Sequence, residues 1–536
     1  MVAVAELVKE HTGLVIDSLD RIYLNGYVPK LQATGGVIRF MTEHLGFPIP
    51  SPAVFEQIGT RFREEVEDFA ETEVIPMIRF AKKERKIERM RELLRAAEKN
   101  RRFGVVAIGV SQEFQNVFAA YRRKQNTPSG RPWFNFVKAD RRVLCFYFYI
   151  VDEDFGDCFI KICAYFPYPI KVWCNGHEWA KRQAAKRDLS YTALSNGFAS
   201  CTDRVALQAL CDELGPEQIQ ALFERWIQRL PRPLTHADRE AGYWWELSMR
   251  QVEVAHTLVF DAPHHARTFF EAIVRDNLGL GRPHEVELIF SGRPVRRGRP
   301  RQRPETFKTK VVTEGVDVRI NIFYKHSRIK QYLKDGRALR IETVVNCPDD
   351  FGVRRRLENL PQLQAKARAA NRRILEVQYA GQGCAIGPTL FERIQQPYVW
   401  EGQRTGALRF GDKCAMALAG SLSQTLHAVA GFTNGSLRAL VAGLLGTPYS
   451  ARQMSYDLRR LRLHGLIDRA NGRRRYRLTA SGQLFAVYYS KLAEWVIGPL
   501  FACDRPNVAP QLQRALAVID RCVDESFHRA GLRRAA

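Results

Sequence analysis

The sequence predicts a multidomain α+β protein. It has a helical N-terminal region, antiparallel-sheet α+β domains and a C-terminal helical module closed by a two-stranded hairpin. Three observations carry this. Val316 to Asn346 alternates apolar and polar residues with period two and breaks at Asp335-Gly336, as antiparallel strands do. Residues 413–500 read as three helices and then two short strands around Asn471-Gly472. At 536 residues the chain is too long for one hydrophobic core.

Taken in order, residues 1–102 read as helical, with helical spacing in Val37–Leu45 and Pro52–Phe80 and a charged, i,i+4-paired stretch in Ala81–Arg102. Residues 103–202 form an aromatic-rich α+β domain. Its strands are Gly104–Val110, a hairpin of Arg141–Asp152 with Cys158–Phe166, and Pro169–Cys174 closed by Asn175-Gly176. Aromatics such as Trp133, Phe136, Phe146 and Phe148, beside Arg141, Arg142, Lys161 and Lys171, make either core or a platform for unpaired bases. Residues 203–275 read as a helical segment in which Pro216–Leu230 and Tyr243–Val259 are amphipathic, and Glu253 falls on the latter. Residues 276–350 form an antiparallel-sheet domain with an Arg-rich loop at 292–304. Residues 351–412 hold a helix, Arg354–Val377, and a Gly-rich connector, while 501–536 form a C-terminal helix or tail.

Composition narrows the function. A net charge of +25 and a pI near 9.8 favour a polyanionic partner. Neither a spanning helix nor a signal peptide is expected, so nucleic acid leads over membrane. Eleven cysteines without a CxxC pair imply buried, reduced thiols and a cytoplasmic setting. His264-His265, in a loop-like segment, offers a metal-binding histidine pair, with no carboxylate at helical ligand spacing beside it. No P-loop, dinucleotide fingerprint or Ser-His-Asp phrase points to a small-molecule enzyme.

The alternating stretch puts Arg319, Asn321, Lys330, Tyr332, Arg340 and Glu342 on one face, expected to meet solvent. The loop before it carries Arg296, Arg297, Arg299 and Arg301, which with Arg319 and Lys334 offer contacts to phosphate. In the C-terminal module, Asn434 and Ser450 are expected to cap the second and third helices. Nine arginines stand between Arg452 and Arg477 against Asp457 and Asp468. Gln453, Ser455, Arg459 and Arg462 are placed to read a groove, and Arg473, Arg474 and Arg475 to grip the backbone.

The phrase YDLRRLRLHGLIDRANGRRRYRLTASG resembles the recognition helix and wing of winged helix-turn-helix modules. Most of the chain resembles a widespread family of uncharacterised bacterial proteins, on DRIYLNGYVPKLQ at Asp20, YFPYPIKVWCNGHEWAKRQ at Tyr165, RQVEVAHTLVF at Arg250 and YKHSRIKQYLKDGRALRIETVVN at Tyr324. Lys330-Gln331-Tyr332-Leu333-Lys334 followed by Leu339-Arg340-Ile341-Glu342 is similar to a motif of rolling-circle replication initiators and relaxases. The reading that follows is a basic nucleic-acid-binding protein, with DNA favoured and a structured or guide RNA as the alternative. No cofactor is assigned to it. The motif resemblance implies a second reading, strand nicking or joining of the replication-initiator, relaxase or transposase kind. Tyr332 would then be the nucleophile, Lys330, Lys334 and Arg340 would hold phosphate, and Glu342 with Glu253 would hold Mg²⁺ or Mn²⁺.

Overall fold

The computed structural model describes residues 4–81, 84–124, 132–279, 286–289, 309–314, 317–382, 386–424, 427, 431–470, 474–493 and scattered positions between 514 and 525. The architecture is mixed α+β, and the chain divides into two compact units. One holds residues 11–267 and 316–371, the other residues 1–10, 268–315 and 372–536. In chain order the strands are β1 (Thr12–Tyr27), β2 (Met77–Arg79), β3 (Gly104–Arg122), β4 (Phe134–Asp152), β5 (Gly156–Cys163), β6 (Ile170–Asn175), β7 (Tyr191–Leu194), β8 (Gly197–Cys201) and β9 (Glu246–Phe260). They continue as β10 (Val286–Ile289), β11 (Thr309–Glu314), β12 (Asp317–Tyr324), β13 (Ser327–Lys334), β14 (Ala338–Val345), β15 (Tyr398–Trp400), β16 (Gln403–Thr405), β17 (Ile467–Arg469) and β18 (Tyr476–Leu478).

The first unit is built on one sheet in the order β12-β13-β14-β9-β1-β6-β5-β4-β3-β2. Only β2–β3 is parallel; the other neighbours pair antiparallel. Two of its central strands differ from the sequence expectation. Residues 1–102 do hold helices, at Val4–His11, Pro52–Thr72 and Lys86–Lys99, but Thr12–Tyr27 is a strand. Tyr243–Val259, expected as an amphipathic helix, is mostly β9. The cause is shared. Both strands are buried over consecutive residues, Ile16 to Asp20 in β1 and Val252 to Phe260 in β9, and partnered polar residues stand inside those runs, so the period of two is lost. Val252 to Phe260 is buried without a break, and its Val252, Val254, Thr257 and Val259 are β-branched. The apolar run at Gly104 likewise opens a strand that extends to Arg122.

β4 shows the same double burial at side-chain level. Phe136 and Phe146 meet Phe55 and Phe62 of the helix Pro52–Thr72, with ring centroids 5.5 and 5.6 Å apart. Residues of the other parity, Val143, Cys145, Tyr147, Tyr149 and Val151, pack with Met90 and Leu94 of the helix Lys86–Lys99. The dense aromatics of this region are therefore core. Trp133, like Phe103, Phe114 and Tyr121, is instead exposed, and the Arg123 guanidinium covers its ring at 4.1 Å. The turn after β6 opens a helix, Gly176–Lys186, whose N-cap Asn175 accepts the Glu178 amide.

The second unit holds the parallel pair β10–β11 and the C-terminal module. The module's helices are Lys413–Leu422, Asn434–Leu445 and Ala451–Leu463, followed by the hairpin β17–β18 and the helix Ala480–Lys491. Leu418, Leu437, Val441, Met454, Leu458, Leu461, Ile467 and Phe485 share one core. Ser450 caps the third helix as expected, accepting the Gln453 amide at 3.2 Å. The second helix is capped by Thr433 rather than Asn434, because the Thr433 hydroxyl accepts the Ser436 amide at 3.1 Å. Asn434 instead reaches the third helix, donating to Ser455 Oγ at 2.9 Å. The helix expected over Arg354–Val377 runs from Leu360 to Gln382.

Gly176 shows how tightly the helix after β6 sits against β1. A Cβ there would lie 1.9 Å from the Leu19 carbonyl oxygen and 3.0 Å from Leu214 Cδ2. Gly176→Ala should lower stability by about 1–3 kcal/mol in chemical denaturation, as overpacking does. An unchanged midpoint would contradict this packing.

Candidate functional site

The face of the sheet expected to meet solvent is interior. All eight residues of β14 are buried, Arg340 is 0% exposed and Glu342 3%. The face can be polar because charges answer one another across neighbouring strands. Register sets Lys330 opposite Glu342, Tyr332 opposite Arg340, and Arg340 opposite Thr257. On β1 the pairing with β9 slips between Leu19 and Arg21, leaving Asp20 as an unpaired bulge residue. That bulge aims Asp20 at Arg340.

Arg340 is the hub. Its Nη2 donates to Asp20, its Nε to Glu342 Oε1 at 3.1 Å and its Nη1 to Thr257 Oγ1 at 3.1 Å. Tyr332 donates its hydroxyl proton to Glu342 and accepts from Asn196 Nδ2 at 3.1 Å. Lys330 lies 3.4 Å from Glu342 and 3.7 Å from Glu253, and Arg21 stands 4.0 Å from Glu253. Three carboxylates thus meet three cations, which is how buried charge becomes tolerable. Gly197 closes the cover: a Cβ there would sit 2.8 Å from Arg340 Nη1.

The environment splits the two carboxylates on Arg340. Burial pushes Asp20 up to about 6, with Arg340 opposing it and Glu342 adding to it. Burial also pushes Glu342 up, but Arg340, Lys330 and the Tyr332 hydroxyl outweigh it and hold it at about 2. Burial and the Glu342 charge raise the Tyr332 phenol well above its ordinary range. Burial, with Lys181, Arg340 and Arg21 nearby, holds His177 at about 3, and its Nδ1 has no hydrogen-bond partner among the described residues. Chemically, the cluster fixes a neutral phenol as a donor to a carboxylate that is a weak base. Glu253 and Glu342 share Lys330, and neither belongs to the groups able to hold a metal ion among the described residues, which are His11–Asp261–His265 and His326–Cys347–Asp350.

Lys330, Tyr332, Arg340, Glu342 and Glu253, singled out from the sequence, are neighbours in the fold. Asn196 joins them without any sequence signal; Asp20, Arg21, His177 and Thr257 lie in the phrases at Asp20, Tyr165 and Arg250, which gave them no role because their partners lie far along the chain. Arg319 stacks over Tyr332 at 5.6 Å, and Lys334 lies half-buried at the end of β13. A second polar group is likewise invisible in the sequence: Glu113, bonded by Lys86, Lys161 and Tyr147. It lines a cavity of about 1090 Å³ with Arg63, Glu67, Arg79 and Arg142, a wall of mixed sign.

In the C-terminal module the helix Ala451–Leu463 exposes Arg452, Gln453, Ser455, Tyr456, Arg459 and Arg462. Several of these are already engaged. Gln453 Oε1 accepts the Ser450 amide at 2.8 Å, and Arg459 donates to Gln403 Oε1 at 3.2 Å. The buried Asp457, held by Arg460 at 3.0 Å and by the Tyr449 hydroxyl, fixes the opposite face of the helix. β17 pairs antiparallel with β18, Ile467 opposite Leu478 and Arg469 opposite Tyr476. Arg474 is exposed and Arg475 half-buried. Arg473, the turn Asn471-Gly472, and Arg296, Arg297, Arg299 and Arg301 lie outside the described residues. Among the described residues no helix is long and apolar enough to cross a membrane.

Removing the Arg340 cation strands Asp20 and Glu342, so Arg340→Met should cost roughly 3–5 kcal/mol in denaturant unfolding; a loss below about 1 kcal/mol would contradict its place as hub. The pH signs differ within the cluster. Glu342, held below its ordinary 4.5, contributes stability above that value and loses it as pH falls through about 2. Asp20, raised from 3.8 to about 6, contributes below 3.8 and loses this as pH rises through about 6. Glu342→Gln should therefore flatten the acid limb of a stability–pH profile, and an unaltered limb would assign that loss to other groups.

Set against protein-family models, curated proteins and solved structures, the chain finds no match, and its function rests on its own residues.

Proposed function

We propose that this is a nucleic-acid-binding protein that engages DNA through its C-terminal module, used as a winged helix-turn-helix. The observation that carries the proposal is the exposed face of the helix Ala451–Leu463, which presents Arg452, Arg459 and Arg462, with Arg474 exposed on the adjoining hairpin. These cations stand on a capped, well-packed helix followed by an antiparallel hairpin, the order in which such modules seat one helix in the major groove and lay a wing along the backbone. A net charge of +25 supplies the long-range attraction that a polyanion requires.

Gln453 and Ser455 hold local structure, so sequence reading falls to the arginines. Arg459 already donates to Gln403, so of the arginines expected to read a groove Arg462 is assigned the base edge, and Arg452 and Arg474 phosphate. The proposed activity is binding alone. The Tyr332 phenol is a fixed hydrogen-bond donor to Glu342, a geometry that favours a rigid sheet over a nucleophile.

Fluorescence anisotropy with labelled duplex DNA between 50 and 200 mM salt, roughly the span over which phosphate binding weakens steeply, tests this. Arg452→Ala with Arg474→Ala should weaken binding and reduce the salt slope by about 0.9 for each phosphate no longer neutralised. Arg462→Ala should cost about 1–3 kcal/mol and relax sequence preference. Unchanged affinity and slope in all these variants would show that DNA does not bind through this module. Tighter binding to a structured RNA than to any duplex DNA would replace DNA as the ligand.

A further inference from the structure

We propose that His11, Asp261 and His265 form a binding site for one first-row transition-metal ion of the Zn²⁺ kind. The sequence hides it. His11 lies some 250 positions from Asp261. The DAPHH segment looks like a loop without a carboxylate at ligand spacing, yet Asp261 stands four residues before His265. Asp261 stands two residues before a helix, Pro263–Gly279, and His265 lies in that helix's first turn, where its Nδ1 meets the Asp261 carboxylate.

Two independent constraints assemble the group. The antiparallel pairing of β1 with β9 sets Thr12 opposite Phe260, and the Asp261 amide donates to the His11 carbonyl at 2.9 Å. The first turn of the following helix then brings His265 over Asp261. The imidazoles of His11 and His265 stack at 3.6 Å with 26° between planes, and each Nδ1 faces a different oxygen of the carboxylate, at 2.8 and 2.7 Å. The three ligand atoms lie within 4.8 Å of one another. Adjacent ligands around a tetrahedral ion with bonds near 2.1 Å stand roughly 3.4 Å apart, so the carboxylate has only to draw back from the imidazoles by about half an ångström for these contacts to become coordination. Each imidazole would carry its proton on Nε2 and offer Nδ1 to the ion.

The donor set decides the class of ion. Two imidazoles and one carboxylate suit Zn²⁺, Co²⁺, Ni²⁺ or Cu²⁺, whereas Mg²⁺ and Ca²⁺ prefer all-oxygen sites. Asp261 is 50% exposed in its side chain, so an ion can enter from solvent and water can complete the coordination. The other group of metal-ligand type, His326–Cys347–Asp350, is more committed. Asp350 accepts the His326 amide and the Ser327 hydroxyl, and Arg355 donates to Cys347 Sγ at 3.2 Å. An ion at the first site would staple the start of β1 to the helix after β9, a clip that closes a very long loop.

The test uses the full chain without an affinity tag, stripped with a chelator and titrated with Co²⁺ by visible absorption and with Zn²⁺ by calorimetry. One ion per chain is expected, with thermal stabilisation by Zn²⁺ and none by Mg²⁺. His11→Gln and His265→Gln, each checked for folding by circular dichroism, should weaken Zn²⁺ binding by at least about tenfold. Cys347→Ser should leave it unchanged. No saturable binding by the unaltered chain would overturn the site. So would binding that survives both histidine substitutions or is lost in Cys347→Ser.

Discussion

A guanidinium with no exposed surface cannot stand alone in a protein interior, and Arg340 sets the terms for the sheet around it. It needs carboxylates at fixed distance, and two strands supply them: β14 with Glu342 two residues away, and β1 with Asp20. β1 can aim Asp20 only by bulging out of register with β9. Glu342 in turn holds Tyr332 and Lys330 on β13, and Lys330 links to Glu253 on β9. The polar face therefore fixes the order and register of β13, β14, β9 and β1 together. An apolar face would tolerate a slip more readily than this one, where any displacement strands a charge.

The same constraint decides which elements are legible in the sequence. A strand whose buried and half-buried residues alternate, such as β13, announces itself by its sequence pattern. The turn at Asp335-Gly336 announces itself because both residues take positive φ, 48° and 71°. Ser450 and Gly465 mark the ends of the helix Ala451–Leu463 by the same local chemistry, Gly465 having a φ of 69°. β1 and β9 are hidden because burial on both faces erases the period. The polar residues of β14 look solvent-facing because identity alone does not show whether a charge has a partner. Asp20 and Arg340 lie 320 positions apart, and no local pattern links them.

Function divides along the same line. The charged residues of the sheet are consumed by one another, and their pKa shifts describe a neutralised interior. The C-terminal module uses buried charge sparingly, in Asp457 and Arg460, and leaves arginines on the outward face of one helix and its hairpin. For a strongly basic chain, the module is where the proposed polyanion would find counter-charge, while the charges of the sheet tie its strands together.

The most direct measurement is photocrosslinking of the full chain to duplex DNA carrying photoreactive bases, with the attached peptides mapped by mass spectrometry. Crosslinks concentrated in the helix Ala451–Leu463 and the hairpin that follows it are the predicted result. Crosslinks confined to β13 and β14, or absent from the C-terminal module, would contradict DNA binding through that module.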